Sequence, residues 1–296
     1  MENILERLKS GDVIVGDGAI GTMLMQRGLK TGESPETYNL TKPEVLEEIA
    51  SLYLDAGSEI ISTNTFGASP MRLRQFSLDK ETEAINRSAV EAVRRAVCGK
   101  AYVSASVGPS AKMLKPLGNA EPEEIYASLH RQLSVLLAAG IDMVCIETVM
   151  DLKEAALAIK AVRSLDAKIP IMTTATFQKS PQGYFTLMGT SVKDAAVALE
   201  EAGADIIGSN CGNGTTQMVE IAREFRQHAH VPIAIQSNAG LPVKSESGLI
   251  YPETPDFVAA RAAEMLDLGV QIVGGCCGTT PDHIRAIRKM VDARRK

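Results

Sequence analysis

Three cysteines are the residues of this sequence whose type and spacing most clearly predict chemistry. Cys276 and Cys277 are adjacent within the glycine-rich segment 274–278, and Cys211 lies well before them. Neighbouring side chains of a strand point to opposite faces, so both can face one point only where the chain leaves a strand, and glycine permits that change of direction. Three converging thiolates are a soft ligand set that suits Zn²⁺ and not Mg²⁺ or Ca²⁺. The alternatives are structural core cysteines or a disulfide between the adjacent pair.

The number of ligands indicates a catalytic metal site. Structural zinc has four protein ligands, whereas catalytic zinc keeps one position open. Zinc among three thiolates has a net charge of about −1, which favours holding a further sulfur as thiolate over polarising a carbonyl. The histidines lie in or at the ends of predicted helices, away from these cysteines: His130, His228, His230 and His283. We therefore expect three cysteine ligands and one open position.

Polar residues at other strand ends predict an amino-acid site. Glu147 ends an apolar run, where a carboxylate is costly unless it is paired or solvated, so it is expected to bind a substrate ammonium or to form a structural ion pair. Asp17 has the same two interpretations. The backbone N–H groups of Gly18 and Ala19 are candidates for binding a carboxylate. Asn238 is a substrate contact, a transient oxygen ligand of the metal or a turn residue. Together these residues predict a pocket for an amino acid that carries a thiol.

The chain around these residues repeats one pattern eight times: a short apolar run, a turn and an amphipathic stretch. The apolar runs are continuous, which is typical of parallel strands covered on both faces. Eight such units favour a single α/β domain, a closed (β/α)₈ barrel over residues 1–296, rather than a doubly wound open sheet. Strands are predicted near 13–16, 59–63, 102–107, 143–147, 170–175, 205–209, 232–236 and 270–274. Helices are predicted near 43–56, 80–98, 122–139, 151–164, 191–202, 215–228, 255–268 and 281–294.

The candidate residues all follow predicted strands, so they are expected at the carboxyl-terminal face of the barrel. Active sites of such barrels lie at that face. The segments 28–42, 177–190 and 238–254 are longer than usual connections and follow the first, fifth and seventh strands. We expect these long loops to build the site.

Composition excludes several classes of protein. The net charge of −5 argues against nucleic-acid binding and against a polybasic membrane surface. Five cysteines are too few and too scattered for a secreted disulfide framework. The chain shows no signal-peptide pattern and no apolar run of about 18 residues. A reduced, cytoplasmic enzyme is therefore expected, with no nucleic-acid or membrane partner.

The motifs resemble those of the homocysteine S-methyltransferase family, which includes the homocysteine-binding module of cobalamin-dependent methionine synthase and betaine–homocysteine methyltransferase. The resemblance implies a (β/α)₈ barrel, one zinc on Cys211, Cys276 and Cys277, and homocysteine sulfur as fourth ligand. It also implies that Glu147 engages the substrate amino group. The matching motifs are DGAIGT (17–22), TNTFGA (63–68), SVGP (106–109), ET (147–148), NCG (210–212), NAG (238–240) and GGCCGTTP (274–281).

The same resemblance implies a methyltransferase that converts homocysteine to methionine, with the loop 17–21 receiving the amino-acid backbone. In the cobalamin-dependent branch, the residue matching Asn238 lies beside the metal and fills the open position when substrate is absent. No segment of the chain is left to form folate, cobalamin or activation modules, so a fragment of a longer enzyme or a stand-alone subunit is expected.

The methyl donor stays open between two kinds. One is methylcobalamin on a separate corrinoid protein or module that docks on the open face of the barrel; the other is S-methylmethionine or betaine. Recognition of a quaternary ammonium generally uses an aromatic cage. The chain has no Trp, and its loop aromatics are few, which favours the corrinoid donor. These aromatics are Tyr38, Phe66, Phe177, Tyr184, Phe185 and Tyr251.

Two functions of other classes are weighed against this one. A phosphate-binding aldolase or isomerase would use the glycine-rich end of the last strand, but no predicted strand ends in a Schiff-base Lys. A non-catalytic zinc scaffold would require a fourth protein ligand.

Overall fold

A barrel of eight parallel strands forms the centre of the protein, as described by a computed structural model over residues 1–245 and 248–294. The strands are hydrogen-bonded in the order β1-β8-β7-β6-β5-β4-β3-β2. At the remaining seam, between β1 and β2, the Glu59 N–H donates to the Val15 carbonyl at 2.7 Å. The predicted (β/α)₈ barrel is therefore confirmed. The strands are β1 Ile14–Val15, β2 Ile60–Ser62, β3 Tyr102–Val107, β4 Met143–Val149, β5 Ile171–Ala175, β6 Ile206–Asn210, β7 Ile233–Ser237 and β8 Ile272–Gly275.

One long helix follows each strand, and local sequence signals set its ends. Ser191 accepts a hydrogen bond from Asp194 N at the start of α5, and Thr254 accepts one from Phe257 N at the start of α7. Predicted strand and helix limits differ from the observed ones by no more than two residues. The helices are α1 Pro43–Asp55, α2 Thr82–Val97, α3 Pro122–Ala138, α4 Leu152–Leu165, α5 Val192–Glu201, α6 Thr215–His228, α7 Pro255–Asp267 and α8 Pro281–Arg294.

Shorter helices and strands lie at the two ends of the barrel. The sequence pattern does not predict the helix Ile4–Lys9 or the helix Ile20–Gln26 after β1. The predicted long loops contain structure of their own. The segment 28–42 holds the short helices Pro35–Thr37 and Tyr38–Thr41.

The other two long loops each form an antiparallel hairpin. After β5, Gln178–Ser180 pairs with Gly183–Phe185, and after β7, Val243–Ser245 pairs with Gly248–Ile250. Residues 246–247 of the predicted loop 238–254 lie outside the described residues.

The core has two parts separated by the sheet. The larger part lies between the strands and the surrounding helices, and the smaller fills the lower, amino-terminal end of the barrel. In the smaller part, Ile4 and Leu8 of the helix Ile4–Lys9 pack against Ile14, Met172 and other inward-facing strand residues. The barrel is thus sealed below and open only at the carboxyl ends of its strands. Across the described residues, no helix combines the length and apolar character needed to cross a membrane.

Candidate metal centre and active site

The three predicted cysteines converge at the upper, carboxyl-terminal end of the barrel. Cys211 follows β6, and Cys276 and Cys277 follow β8. The Sγ atoms of Cys211 and Cys277 lie 3.8 Å apart, and all three Sγ atoms lie within 4.8 Å of one another. Sulfur ligands around tetrahedral zinc, with Zn–S bonds of about 2.3 Å, lie about 3.8 Å apart. All three thiols are free, so the adjacent pair forms no disulfide.

Backbone constraints aim these side chains at one point. Cys211 has a left-handed backbone with φ of 56°, a strained conformation for a residue with a side chain, and such strain concentrates at functional sites. Its N–H donates to the Gln236 carbonyl at 3.2 Å, and the Cys276 N–H donates to the Ser237 carbonyl at 2.8 Å. A Cβ atom on Gly275 would lie 2.1 Å from Thr279 Oγ1. Glycine is therefore required there for the close turn that brings Cys276 inward.

The electrostatics of the cluster fit a bound cation. Hydrogen bonds from Cys276 and Cys277 lower the pKa of Cys211 to about 3. Interaction with the ionised Cys211 then raises the pKa of Cys276 well above its usual range and that of Cys277 to about 11. Three thiolates cannot form together here without a positive charge. Asn238 follows β7, and interaction with its side chain also lowers the pKa of Cys211. The buried Oδ1 of Asn238 has no protein partner among the described residues. The donor set fits zinc.

The two predicted carboxyl groups face the same end of the barrel. Asp17 accepts hydrogen bonds from Ser62 N at 2.7 Å and from Ser62 Oγ at 3.1 Å. Glu147 Oε1 accepts one from Ser106 Oγ, and its Oε2 accepts one from Asn210 Nδ2 at 3.2 Å. Removal from water raises the pKa of each carboxyl to about 7, and the charge of Asp17 also raises the pKa of Glu147.

Neither carboxyl has the structural ion pair that the sequence left open. In the part of the chain that the structure describes, no lysine or arginine pairs with Asp17 or Glu147. Glu147 is partly accessible from the mouth of the barrel. An incoming ammonium group would therefore meet two carboxyls that have no other cation.

An irregularity in β4 turns Glu147 toward the site. The pairing of β4 with β5 shifts register between Ile146 and Val149, and Thr148 has φ of 59°. Asn210 holds this distortion, because its Oδ1 accepts from Thr148 N at 2.8 Å and its Nδ2 donates to Thr148 Oγ1 at 2.9 Å. In the sequence, Asn210 belongs to the motif NCG and has no predicted role. Its amide side chain directly before Cys211 was the one feature that could have marked it as a residue of the site.

The loop predicted to receive a carboxylate is tied to the last strand. Ala19 N–H donates to Thr279 Oγ1 at 3.2 Å, so this amide already has a partner. A Cβ atom on Gly18 would lie 2.7 Å from Thr279 Oγ1 and 2.9 Å from Tyr53, so only glycine fits there. Binding of a carboxylate by Gly18 and Ala19 stays a prediction. No local pattern in the sequence predicts the contact with Thr279.

The described arrangement is a (β/α)₈ barrel with a three-cysteine centre and two unpaired carboxyls at its open end. The model of the homocysteine S-methyltransferase family matches residues 14–291. The chain belongs to this family.

Two relatives show which known proteins the chain is similar to and how much of each it covers. It is 36% identical over 296 residues to methionine synthase of Mycobacterium leprae (strain TN), an alignment that covers 94% of this chain and 24% of that protein. It is 31% identical over 307 residues to betaine–homocysteine S-methyltransferase 1 of Rattus norvegicus, covering 96% of this chain and 73% of that protein. The chain therefore spans about a quarter of the length of the methionine synthase.

A solved structure has the same fold. The metallated form of the homocysteine methyltransferase MmuM from Escherichia coli superposes with a TM-score of 0.81 at 21% identity, covering 97% of this chain and 99% of that one.

Proposed function

We propose that this chain, as one barrel domain over residues 1–296, transfers a methyl group to the sulfur of homocysteine and yields methionine. Zinc would be held by Cys211, Cys276 and Cys277. The observation that carries the proposal is that three converging thiols lie at the same end of the barrel as two carboxyls, which have no cationic partner within residues 1–245 and 248–294. A substrate that completes both features has a thiol and an ammonium group.

Each residue of the site has a separate role in binding the substrate. Glu147 receives the substrate ammonium, and Asp17 adds a second negative charge. Binding of the substrate carboxylate is assigned to Gly18 and Ala19, with the Ala19 amide then shared with Thr279. When bound, zinc would supply the charge that keeps a substrate sulfur as thiolate at neutral pH. Asn238 would occupy the open metal position in the absence of substrate; its buried Oδ1, which has no hydrogen-bond partner among the described residues, supports this role. Fixing the amino acid at its ammonium end orients its thiol toward the donor methyl.

Exposed apolar side chains around the mouth support a donor that is carried by a protein. Leu117 after β3, Leu187 after β5 and Leu249 after β7 are each more than 60% exposed. Apolar exposure gathered on one face is typical of an interaction site. We propose that a corrinoid protein carrying methylcobalamin docks there. Other exposed apolar residues of these upper loops are Met25, Met113, Met150, Leu241, Val243 and Ile250.

The loop aromatics provide little material for a cage around a quaternary ammonium. Tyr38, Phe177 and Tyr184 are each no more than 5% exposed, and Phe177 packs edge-on against Phe225 in the core. Only three of the six candidates in the sequence therefore remain near the surface of the upper loops. This observation also favours the corrinoid donor over betaine.

A parallel methyl-transfer assay tests the acceptor and the donor together. Zinc-loaded protein and homocysteine are offered methylcobalamin, S-methylmethionine, S-adenosylmethionine and betaine, and methionine is measured. We expect turnover with methylcobalamin. Methionine formed only from a small sulfonium or ammonium donor would overturn the donor assignment, and no methionine from any donor would overturn the reaction.

A second assay tests docking. The double variant Leu187→Asp, Leu249→Asp is expected to slow transfer from a protein-carried corrinoid about tenfold and to leave transfer from free methylcobalamin unchanged. Val197→Asp, on the exposed side of α5, is the matched control. Equal rates for all three proteins with the carried donor would contradict docking at this face.

A further inference from the structure

Gln236 of β7 brings an amide group into the ring of inward-facing side chains that contains the two carboxyls. Ala234, two residues earlier, belongs to the core inside the barrel, so the Gln236 side chain also faces inward. Gln236 pairs in register with Asn210 on one side and with Gly274 on the other. Asn210 donates to Glu147 Oε2 at 3.2 Å. Gln236 therefore lies on the strand next to the residue that holds Glu147.

On its other side, the Gln236 amide approaches Asp17. A Cβ atom on Gly16 would lie 3.6 Å from Gln236 Nε2, and a Cβ atom on Gly274 would lie 3.1 Å from the Asp17 carbonyl oxygen. Because neither glycine has a side chain, the Gln236 amide extends past β8 and ends beside the residue that precedes Asp17. Along the wall of the barrel, the amide thus lies between Asp17 on one side and the Asn210 side chain that holds Glu147 on the other.

The oxygen of this amide is buried and accepts no hydrogen bond. Gln236 is 8% exposed, and its Oε1 meets no donor in the part of the chain that the structure describes. Buried polar atoms nearly always have a partner in a folded protein, and one that is left without a partner carries a free-energy cost. The position therefore favours a ligand that brings an N–H or O–H group to the Gln236 oxygen.

The substrate ammonium has more donors than the two carboxyls account for. An ammonium group carries three N–H donors and no acceptor. If Glu147 and Asp17 each accept one N–H, the third needs an acceptor from the same part of the barrel. Gln236 Oε1 supplies this acceptor without breaking any hydrogen bond that the described residues make.

We propose that Gln236 is the third acceptor for the substrate ammonium and thereby makes the site selective for a thiol that is also an amine. The inference rests on the proposed function and deepens it, because it names a residue that distinguishes homocysteine from a thiol without the amino group. A site that hydrogen-bonds an N–H of its substrate rejects the analogue that lacks it, since the buried acceptors of the site are then left without a donor.

The test measures equilibrium binding of two thiols to the zinc-loaded protein by titration calorimetry. One thiol is homocysteine, and the other is 4-mercaptobutyrate, which is the same molecule without the amino group. Gln236→Met keeps the length of the side chain and removes the amide. We expect this variant to bind homocysteine about tenfold more weakly than wild type and to bind 4-mercaptobutyrate with wild-type affinity. Zinc content and Tm are measured for each protein.

Thr173→Val is the matched control. Thr173 Oγ1 is also buried and has no partner within the described ranges of the chain. Its side chain points away from the barrel interior, because Ile171, two residues earlier on β5, packs between the strands and the helices. This variant should bind both thiols as wild type does. Wild-type affinity for homocysteine in Gln236→Met, or an equal loss for both thiols, would overturn the inference.

A second measurement uses the wild-type protein and needs no variant. N-Methylhomocysteine has one N–H fewer than homocysteine, so it should bind at least about tenfold more weakly if all three N–H groups are bound. Equal affinities would show that two acceptors are enough and would also overturn the inference. Discrimination between the thiols that survives in Gln236→Met refutes the role of Gln236 alone, whereas absence of methionine formation with discrimination intact refutes the proposed reaction alone.

Discussion

The two ends of the barrel differ in whether their partly or fully buried carboxyl groups are paired with cations. At the lower end, the Glu59 carboxylate at the seam between β1 and β2 pairs with Arg7 at 2.7 Å and with Arg288 at 2.8 Å. The helix Ile4–Lys9 covers the strands there and buries Ile4 and Leu8. The lower end therefore pairs this partly buried carboxylate with two cations and seals its own apolar surface.

Among the described residues, the two carboxyls at the upper end have hydrogen-bond donors and no cation. Asp17 and Glu147 have no cation among the described residues, the Asn238 Oδ1 accepts no hydrogen bond, and Cys211 holds a left-handed backbone. A folded protein tolerates such departures where function requires them. The lower end is therefore completed by contacts within the protein, whereas we propose that the upper end is completed by zinc and an amino acid.

Removal of a cysteine should have the largest effect, because it destroys the feature that is present only at the upper end. Cys211→Ala is expected to lose tightly bound zinc and to reduce methyl transfer by more than about a hundredfold. Metal content and initial rates measure both. Cys98→Ser, at an exposed helix end, is the matched control and should keep both. Full zinc and full activity in Cys211→Ala would contradict the site.

Removal of an unpaired carboxyl should have the next largest effect. Glu147→Gln is expected to raise KM for homocysteine about ten- to a hundredfold, since a hydrogen bond to a charged ammonium is lost. Zinc content should stay at the wild-type value, because Glu147 hydrogen-bonds to Ser106 and Asn210 and, among the described residues, to no cysteine. A KM equal to that of wild type would mean that another group binds the ammonium.

A change at the lower end should affect stability and leave chemistry alone. Leu8→Ala removes a side chain that is 2% exposed and is expected to lower the free energy of unfolding by about 2–5 kcal/mol. Denaturant unfolding gives this value, and KM for homocysteine measured on the folded protein should be unchanged. A raised KM at full folding would show that the two ends are coupled.

The smallest predicted effect is a pH dependence of stability in the metal-free protein. The pKa of Glu147 and that of Asp17 are raised to about 7 in the folded state, above ordinary values of about 4. Between these limits the folded state holds more protons than the unfolded state, so stability present at low pH is lost as pH rises toward 7. Glu147→Gln should flatten the change in Tm between pH 4.5 and 8 that wild type shows. Identical profiles for the two proteins would contradict the pKa shift.

The sequence predicted the barrel well because each strand–helix unit has its own local signals. Continuous apolar runs, amphipathic stretches and glycine after the helices repeat along the chain. Each of these signals locates its strand or helix to within a few residues. The lower-end helix Ile4–Lys9 was missed, because six residues are too few to show a helical period.

The partners within the site were the part that the sequence did not predict. The contact of Ala19 with Thr279 and that of Glu147 with Ser106 join residues far apart in the chain, so no local pattern encodes them. The cysteines, Asp17 and Asn238 could be placed because each follows a strand, and Glu147 because it lies near the end of one; the topology brings all strand ends to one face. The register shift at Glu147 required the structure, since it depends on the pairing of β4 with β5.

X-ray absorption at the zinc edge, with and without homocysteine, tests the central claim most directly. We expect three sulfur ligands and one lighter ligand in the absence of substrate, and four sulfur ligands when homocysteine is added. An unchanged set of ligands on addition of homocysteine would contradict it.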